Sequence, residues 1–236
     1  MTDEAVNTPN TMSPACALNA VSTERRRRTL VRIVDDDPTV RRALTVFLTM
    51  DEWPVAAYPS AQSFLDDDDL TVPGCLVLDI RMPGMSGIEL HREMIRRGID
   101  LPVIFLSAHG DVEMAVEAIE RGAMTFLVKP PQPEKLLETV AKAVAANLTK
   151  RREAADEKRL LDLWHGLTAA ERRVAVLVGK GLTNAQAAEA LGVAERTVRA
   201  QRAAVWQKLD VENAVELSEF LHELPPAALT EQGASK

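Results

Sequence analysis

From Thr29 onward the chain alternates short apolar runs with segments whose apolar positions recur at helical spacing. The runs are Leu30–Val34, Val55–Tyr58, Cys75–Leu78, Val103–Leu106 and Phe126–Val128, and the helical segments begin at Pro38, Ser60, Gly87, Asp111 and Pro133. Five strands alternating with five helices predict an α/β domain, a doubly wound five-stranded parallel sheet covered on both faces by right-handed crossover helices. In such a sheet the functional groups gather at the carboxyl ends of the strands. Pro38 suits the first turn of a helix, and Asp36 and Asp37 lie where a helix N-terminus favours negative charge.

The pattern changes after Asn147. Lys150-Arg151-Arg152-Glu153 through Asp156-Glu157-Lys158-Arg159 is charged, without Gly or Pro until Gly166, and reads as a solvated helical linker over residues 148–165. Beyond it, four short helical segments near Ala169–Val178, Asn184–Leu191, Glu195–Leu209 and Asn213–Leu221 are separated by Gly179/Gly181, Gly192 and Asp210, predicting a small all-α domain over residues 166–222. Thr183 can cap the second of these helices, and Gly192 fits its left-handed ending. Ala187, Ala188 and Leu191 share one face, and the alanines admit close approach of a next helix carrying Val198, Val205 and Leu209 inward. A tight helix pair joined by a glycine turn is the helix-turn-helix design.

Residues 1–28 lack periodicity, are rich in Thr, Asn, Ser, Pro and Ala, and end in Arg25-Arg26-Arg27-Arg28, which predicts a disordered tail; residues 223–236 are expected to form a flexible tail. The full length of 236 residues suits two domains, each with its own core, here residues 29–147 and 166–222. A net charge of −7 argues against a globally basic nucleic-acid binder, so charge has to be read locally. Cys16 and Cys75 show no metal-ligand spacing and are expected to be reduced. No apolar stretch approaches the roughly 18 residues of a membrane span, and no signal peptide opens the chain, so a soluble cytoplasmic protein with no membrane partner is expected.

The chemistry lies at the strand ends. Asp35 and Asp36 follow the first strand and Asp79 closes the third, so neighbouring first and third strands bring three carboxylates to one edge. Unpaired, they repel one another; a divalent cation among them relieves this, and Mg²⁺ prefers such oxygen ligands with a phosphate completing its shell. Ser107 after the fourth strand and Lys129 after the fifth supply a hydroxyl and an ammonium able to hold a phosphoryl group. Asp79 is then the natural nucleophile for an acyl phosphate, with Asp35 and Asp36 placed to hold metal.

Over residues 29–147 the chain resembles the response-regulator receiver family, on Val34-Asp35-Asp36-Asp37, Leu78-Asp79-Ile80-Arg81-Met82-Pro83-Gly84, Leu106-Ser107-Ala108-His109-Gly110-Asp111 and Val128-Lys129-Pro130. The resemblance implies a flavodoxin-like receiver with Asp79 as phosphoacceptor, and Mg²⁺ held by Asp36, Asp79 and the backbone carbonyl of Arg81, with Asp35 assisting through water. It also implies that Ser107 and Lys129 bind phosphoryl oxygens, that Phe126 is the switch aromatic, and that the face of the fourth helix and fifth strand dimerises. His109–Val112 and Ala115–Ala118 look most like the FixJ branch. Pro131, following Pro130, departs from the family, which usually places an aromatic there, and the Lys129–Pro130 bond is expected to be cis as in relatives.

Between Gly166 and Leu209 seven basic residues stand against three acidic ones, a locally basic unit within an acidic chain. Leu167-Thr168-Ala169-Ala170-Glu171-Arg172-Arg173-Val174, Gly181-Leu182-Thr183-Asn184, and Glu195-Arg196-Thr197-Val198-Arg199 through Lys208-Leu209 resemble the LuxR/FixJ DNA-binding family over residues 164–222. The resemblance implies that Glu195–Leu209 is the recognition helix in the major groove. Arg199 and Arg202 are expected to contact bases or phosphates, with Thr197, Arg196 and Lys208 on the backbone. Ala170, Ala185, Ala187 and Gln201 replace the family's usual arginine, lysine, isoleucine and histidine, which predicts modest DNA affinity.

Together these readings describe a transcriptional regulator of a two-component system, not an enzyme beyond slow self-catalysed phosphoryl transfer and dephosphorylation. A histidine kinase would supply phosphate, a homodimer would form on phosphorylation, and double-stranded DNA and RNA polymerase would be further partners. Two alternatives stand beside it. The output domain could bind protein or RNA, as the missing basic side chains at Ala170 and Ala185 would allow. An Asp nucleophile with Mg²⁺ and Lys also builds phosphatases, against which stand the absence of an inserted cap segment and four scattered histidines, His91, His109, His165 and His222.

Overall fold

The computed structural model describes residues 23–108 and 125–230, and it divides into two units at Arg151. In the first unit β1 (Leu30–Val34), β2 (Val55–Tyr58), β3 (Gly74–Asp79), β4 (Val103–Ser107) and β5 (Thr125–Val128) form one parallel sheet in the order β2-β1-β3-β4-β5. A short helix, α1 (Thr23–Arg26), precedes the sheet. Between the strands run α2 (Pro38–Met50), α3 (Ala61–Asp67) and α4 (Gly87–Arg97), and α5 (Pro133–His165) follows β5. The helix expected from Asp111 lies outside the described residues.

Every residue of β3 is buried, as in a strand covered on both faces. Its side chains alternate between two cores. Cys75 and Val77 join Val31, Ile33, Leu48 and Val144 on one face, while Leu76 and Leu78 join Phe64, Leu90, Met94 and Phe105 on the other. The helices start where the sequence stops competing. Asp37 caps α2 by accepting from the Thr39 amide at 2.7 Å with Pro38 in the first turn, and Ser86 with Glu89 forms a capping box at α4. Gly98 ends α4 in the left-handed region at φ 68°.

A fully buried ion pair lies inside this unit. Arg32, in the middle of β1, is fully buried and meets the equally buried carboxylate of Asp68 at 2.8 Å. Its other N–H groups donate to the carbonyls of Asp69 (2.7 Å), Val72 (2.9 Å) and Leu30 (3.1 Å), and the Tyr58 hydroxyl donates to Asp68 at 2.6 Å. The network ties the loop after α3 to the sheet, and burial raises the Tyr58 pKa above its ordinary value.

Two boundary expectations are corrected. Residues 23–28 do not belong to a disordered tail: Arg26 donates to the carbonyl and carboxylate of Asp51, both at 2.9 Å, and its guanidinium lies 4.7 Å from the centre of the Trp53 ring. An aromatic face beside a carboxylate anchors the cation there. At the other end, residues 223–230 are not a flexible tail, because Leu224 and Ala228 are buried in the second core and α10 (Pro226–Thr230) forms there.

The second unit holds the last part of α5 and α6 (Ala169–Gly179), α7 (Asn184–Leu191), α8 (Glu195–Leu209), α9 (Ala214–Glu223) and α10. The linker expected over residues 148–165 is helical, but only residues 152–159 are exposed throughout. Before them Asn147 bonds the Gly74 amide (2.9 Å) and the Asp100 carbonyl (3.0 Å), and Arg151 pairs with Asp100 at 2.8 Å. After them Trp164 is fully buried and donates to the Ala228 carbonyl at 3.2 Å. Thr183 with Gln186 caps α7, and Gly192 turns the chain at φ 64° into α8. Ala187, Ala188, Val198, Val205 and Leu209 are all buried, as the helix pair requires.

Removing the Arg32 cation while its partner stays buried gives the clearest stability test of the first unit. Arg32→Met is expected to destabilise it by about 3–5 kcal/mol, read as a lower urea midpoint in circular dichroism. An unchanged midpoint would show the buried pair to be dispensable.

Candidate functional site

The parallel register sets the acidic site. Val34 pairs with Leu78 and Asp79 with Leu106, so Asp35, one residue past β1, lies beside the end of β3. Ser107 pairs with Val128, which brings Ser107 and Lys129 to the same edge, and the Lys129 amide donates to the Ser107 carbonyl at 2.8 Å. Asp35, Asp36 and Asp79 each offer a carboxylate oxygen within 4.8 Å of the others. Asp35 and Asp79 are buried and Asp36 is exposed, so the cluster opens to solvent on one side.

Lys129 is the cation of the site. Its Nζ donates to Asp35 Oδ2 at 2.6 Å and lies 2.9 Å from Asp79 Oδ2. Burial alone would lower the Lys129 pKa, but hydrogen bonds and charge from Asp35 and Asp79 raise it overall. The Asp79 carboxyl is also held above the ordinary aspartate range. Burial is the main cause, helped by repulsion from Asp35 and opposed by Lys129 and by the Arg81 backbone amide, which bonds the carboxylate. One ammonium among three carboxylates leaves the cluster short of positive charge. Hard oxygen ligands open on one side are the donor set of Mg²⁺, so the residues present fit that ion.

Two supporting roles, those of Arg41 and Gly87, were not assigned from the sequence. Arg41 on α2 donates from Nη1 to the Asp35 backbone carbonyl at 2.6 Å, and the Asp37 amide donates to Asp35 Oδ1 at 2.9 Å, so Asp35 is fixed at its backbone and at both carboxylate oxygens. The repeated Asp residues drew attention to carboxylates, whereas the anchoring arginine lies one helical turn later. Gly87 at the start of α4 is needed for closeness: a Cβ there would collide with the Asp79 carbonyl. Phe126 is half-buried in β5 against the core that holds Phe105, and Ser107 is buried. The Lys129–Pro130 peptide is cis, and Pro131 is half-buried directly after it.

In the second unit α8 shows two faces. Val198, Val205 and Leu209 point into the core, while Arg196, Arg199, Ala200, Ala203 and Gln207 are exposed at a spacing of three and four residues. The sequence reading passed over Ala200, Ala203 and Gln207, although that same spacing from Arg196 marks them. Arg199 pairs with Glu195 at 2.7 Å on the exposed surface, and Thr197 is half-buried. Two more of the expected DNA contacts have intramolecular partners, in their case on other helices. Arg202 donates to Asn184 at 3.0 Å and lies over the Trp206 ring at 4.7 Å, binding α7 to α8. Lys208 pairs with Glu171 at 2.7 Å and donates to the Gly166 carbonyl at 3.4 Å, binding α8 to the start of α6.

Family models match both units, the response regulator receiver domain over residues 31–141 and the bacterial regulatory proteins of the luxR family over residues 165–221. The chain is a LuxR-type response regulator. It is similar to the transcriptional regulatory protein TdiR of Thauera aromatica, 35% identical over 200 residues that cover 85% of this chain and 88% of that protein. Transcriptional regulatory protein FixJ of Azorhizobium caulinodans is 36% identical over 187 residues, 79% of this chain and 89% of its own. The solved structure of response regulator StyR superposes with a TM-score of 0.80 at 37% identity, covering 83% of this chain and 99% of that one. Like these relatives, this response regulator joins a receiver to a helix-turn-helix output domain, and it functions as a two-component transcriptional regulator.

The raised Asp79 pKa makes a signed prediction. The folded state holds that proton more tightly than the unfolded chain, so the ionised carboxylate costs stability at neutral pH, and the cost fades as the pH falls through the raised pKa. Without Mg²⁺, Asp79→Asn is therefore expected to melt above the wild type at pH 7, with the gap narrowing toward acid. Thermal unfolding over a pH series checks this, and a variant that melts lower at pH 7 contradicts it.

Proposed function

We propose that this response regulator is switched by phosphorylation of Asp79 and then binds a two-part DNA site as a dimer. The observation that carries the proposal is the meeting of Asp35, Asp79 and Lys129 within 2.6–2.9 Å from three different strand ends. The phosphodonor is a histidine kinase. An Asp79 carboxylate oxygen attacks phosphorus, the P–N bond to the kinase histidine breaks, and an acyl phosphate forms on Asp79.

Asp36, Asp79 and the Arg81 carbonyl are the groups that would hold Mg²⁺, with Asp35 acting through water; the bound ion neutralises phosphoryl charge. Lys129 turns from its carboxylate partners to a phosphoryl oxygen, and Ser107 donates its hydroxyl to another. Movement of Ser107 draws Phe126 inward and shifts the receiver toward its dimer-forming state, since the phosphoryl group contacts the two states differently.

In the output unit α8 lies in the major groove. Arg196 and Arg199, on its outward face with Ala200, Ala203 and Gln207, reach bases and phosphates, and Thr197 supports them. Arg202 and Lys208 hold α8 at its angle and offer phosphates only the N–H groups their internal partners leave free. The bound dimer presents itself to RNA polymerase. None of the described helices is long and apolar enough to cross a membrane, and a regulator working on chromosomal DNA belongs in the cytoplasm.

Incubation of the full chain with acetyl phosphate and Mg²⁺ followed by intact-mass measurement is expected to add one phosphoryl group to the wild type and none to Asp79→Asn. Equal phosphorylation of both would overturn the site. For the output, Arg199→Ala is expected to cost about 1–3 kcal/mol on the selected duplex and to relax preference at one base position; unchanged affinity and preference would remove Arg199 from the interface.

A further inference from the structure

We infer that the DNA-binding surface of the second unit extends beyond α8 into a basic groove along the end of α5, where Lys158, Arg159 and Lys208 take backbone phosphates flanking the bases read by α8. The inference rests on the DNA-binding reading above. The groove encloses about 540 Å³, with Ala155 and Leu163 supplying apolar wall and Lys158, Arg159, Asp162 and Lys208 the charge.

The helix spacing explains the charge. Residues 155, 158, 159 and 162 are three and four apart and share one face of α5. Glu153, Asp156 and Glu157 fall on the other face, where they border a separate depression with Glu223. One helix thus presents a cationic side to the groove and an anionic side away from it, although the segment as a whole reads as mixed charge.

The cations are available. Lys158 and Arg159 are exposed and have no carboxylate partner among the described residues, whereas Arg152 one turn earlier pairs with Asp156 at 3.7 Å. Lys208 has given two of its three ammonium donors to Glu171 and Gly166, which leaves one for a phosphate. Two adjacent exposed cations on α5 with a third on α8 suit a polymer of phosphates more than one small anion, which would need buried donors around it. Lys208 itself belongs to α8, so the groove is continuous with the helix assigned to the major groove.

The test uses the full chain, phosphorylated with acetyl phosphate, and fluorescence anisotropy on a duplex carrying its selected motif over a salt series. The double variant Lys158→Gln/Arg159→Gln is expected to flatten the slope of log affinity against log salt by about 2 and to weaken binding about tenfold at moderate salt, equally for the motif and for a scrambled duplex. Asp162→Asn, which removes the carboxylate from the groove, should strengthen binding. Lys180→Gln, which removes a single cation away from the groove, should leave the slope in place. An unchanged slope in the double variant overturns the inference, as it would if the groove served an acidic protein segment. A wild type that binds no duplex at all overturns the DNA-binding reading and this inference with it.

Discussion

The ammonium of Lys129, bonded to Asp35 at 2.6 Å and lying 2.9 Å from Asp79, is the contact on which the receiver site depends. The strand order separates β5 from β3 by β4 and from β1 by two strands, so only a long cationic side chain reaches back from the end of β5 to both carboxylates. Two buried acids without that cation would repel each other in a poorly solvated place, and one would take up a proton. With it the pair is only partly compensated, and burial with the Asp35 charge holds the Asp79 pKa above its ordinary value. A site short of positive charge fits a divalent ion, which is what the proposed phosphoryl chemistry needs. The sheet, the Arg41 anchor on Asp35 and the glycine at the start of α4 fix the geometry that makes this shortage persist.

The output unit handles charge differently. Its core fixes α8 through Val198, Val205 and Leu209, and two of its cations serve as struts, Arg202 to α7 and Lys208 to α6. That division leaves a small outward set on α8, Arg196 and Arg199 with two alanines and a glutamine. So few outward cations on one helix favour the proposed surface that recruits cations from elsewhere in the unit, and at the end of α5 Lys158 and Arg159 have no carboxylate partner among the described residues.

Much of this was legible in the sequence because it rests on local periodicity. The five strand positions follow from short apolar runs, with β3 one residue longer at each end than the run Cys75–Leu78 suggests. The acidic cluster with Ser107 and Lys129 followed from placing polar residues at strand ends, a rule of parallel sheets. What was not legible depends on partners distant in sequence. Arg32 interrupts an apolar strand and makes sense only with Asp68, 36 positions on. Arg26 looked like part of a solvated run until Trp53 and Asp51 gave it a seat. Lys208 read as a phosphate contact because its carboxylate, Glu171, sits 37 positions earlier. Leu224 and Ala228 lie around two prolines, too short a stretch to show periodicity, yet both are buried.

The central claim joins the two units: a phosphoryl group on Asp79 governs duplex binding by α8. Selection of random duplex DNA with the full chain, in parallel with and without acetyl phosphate and with Asp79→Asn as the third arm, tests it most directly. The account predicts a two-part motif enriched by the phosphorylated wild type and lost or strongly weakened in the other two arms. The same motif enriched equally in all three, or none in any, would contradict it.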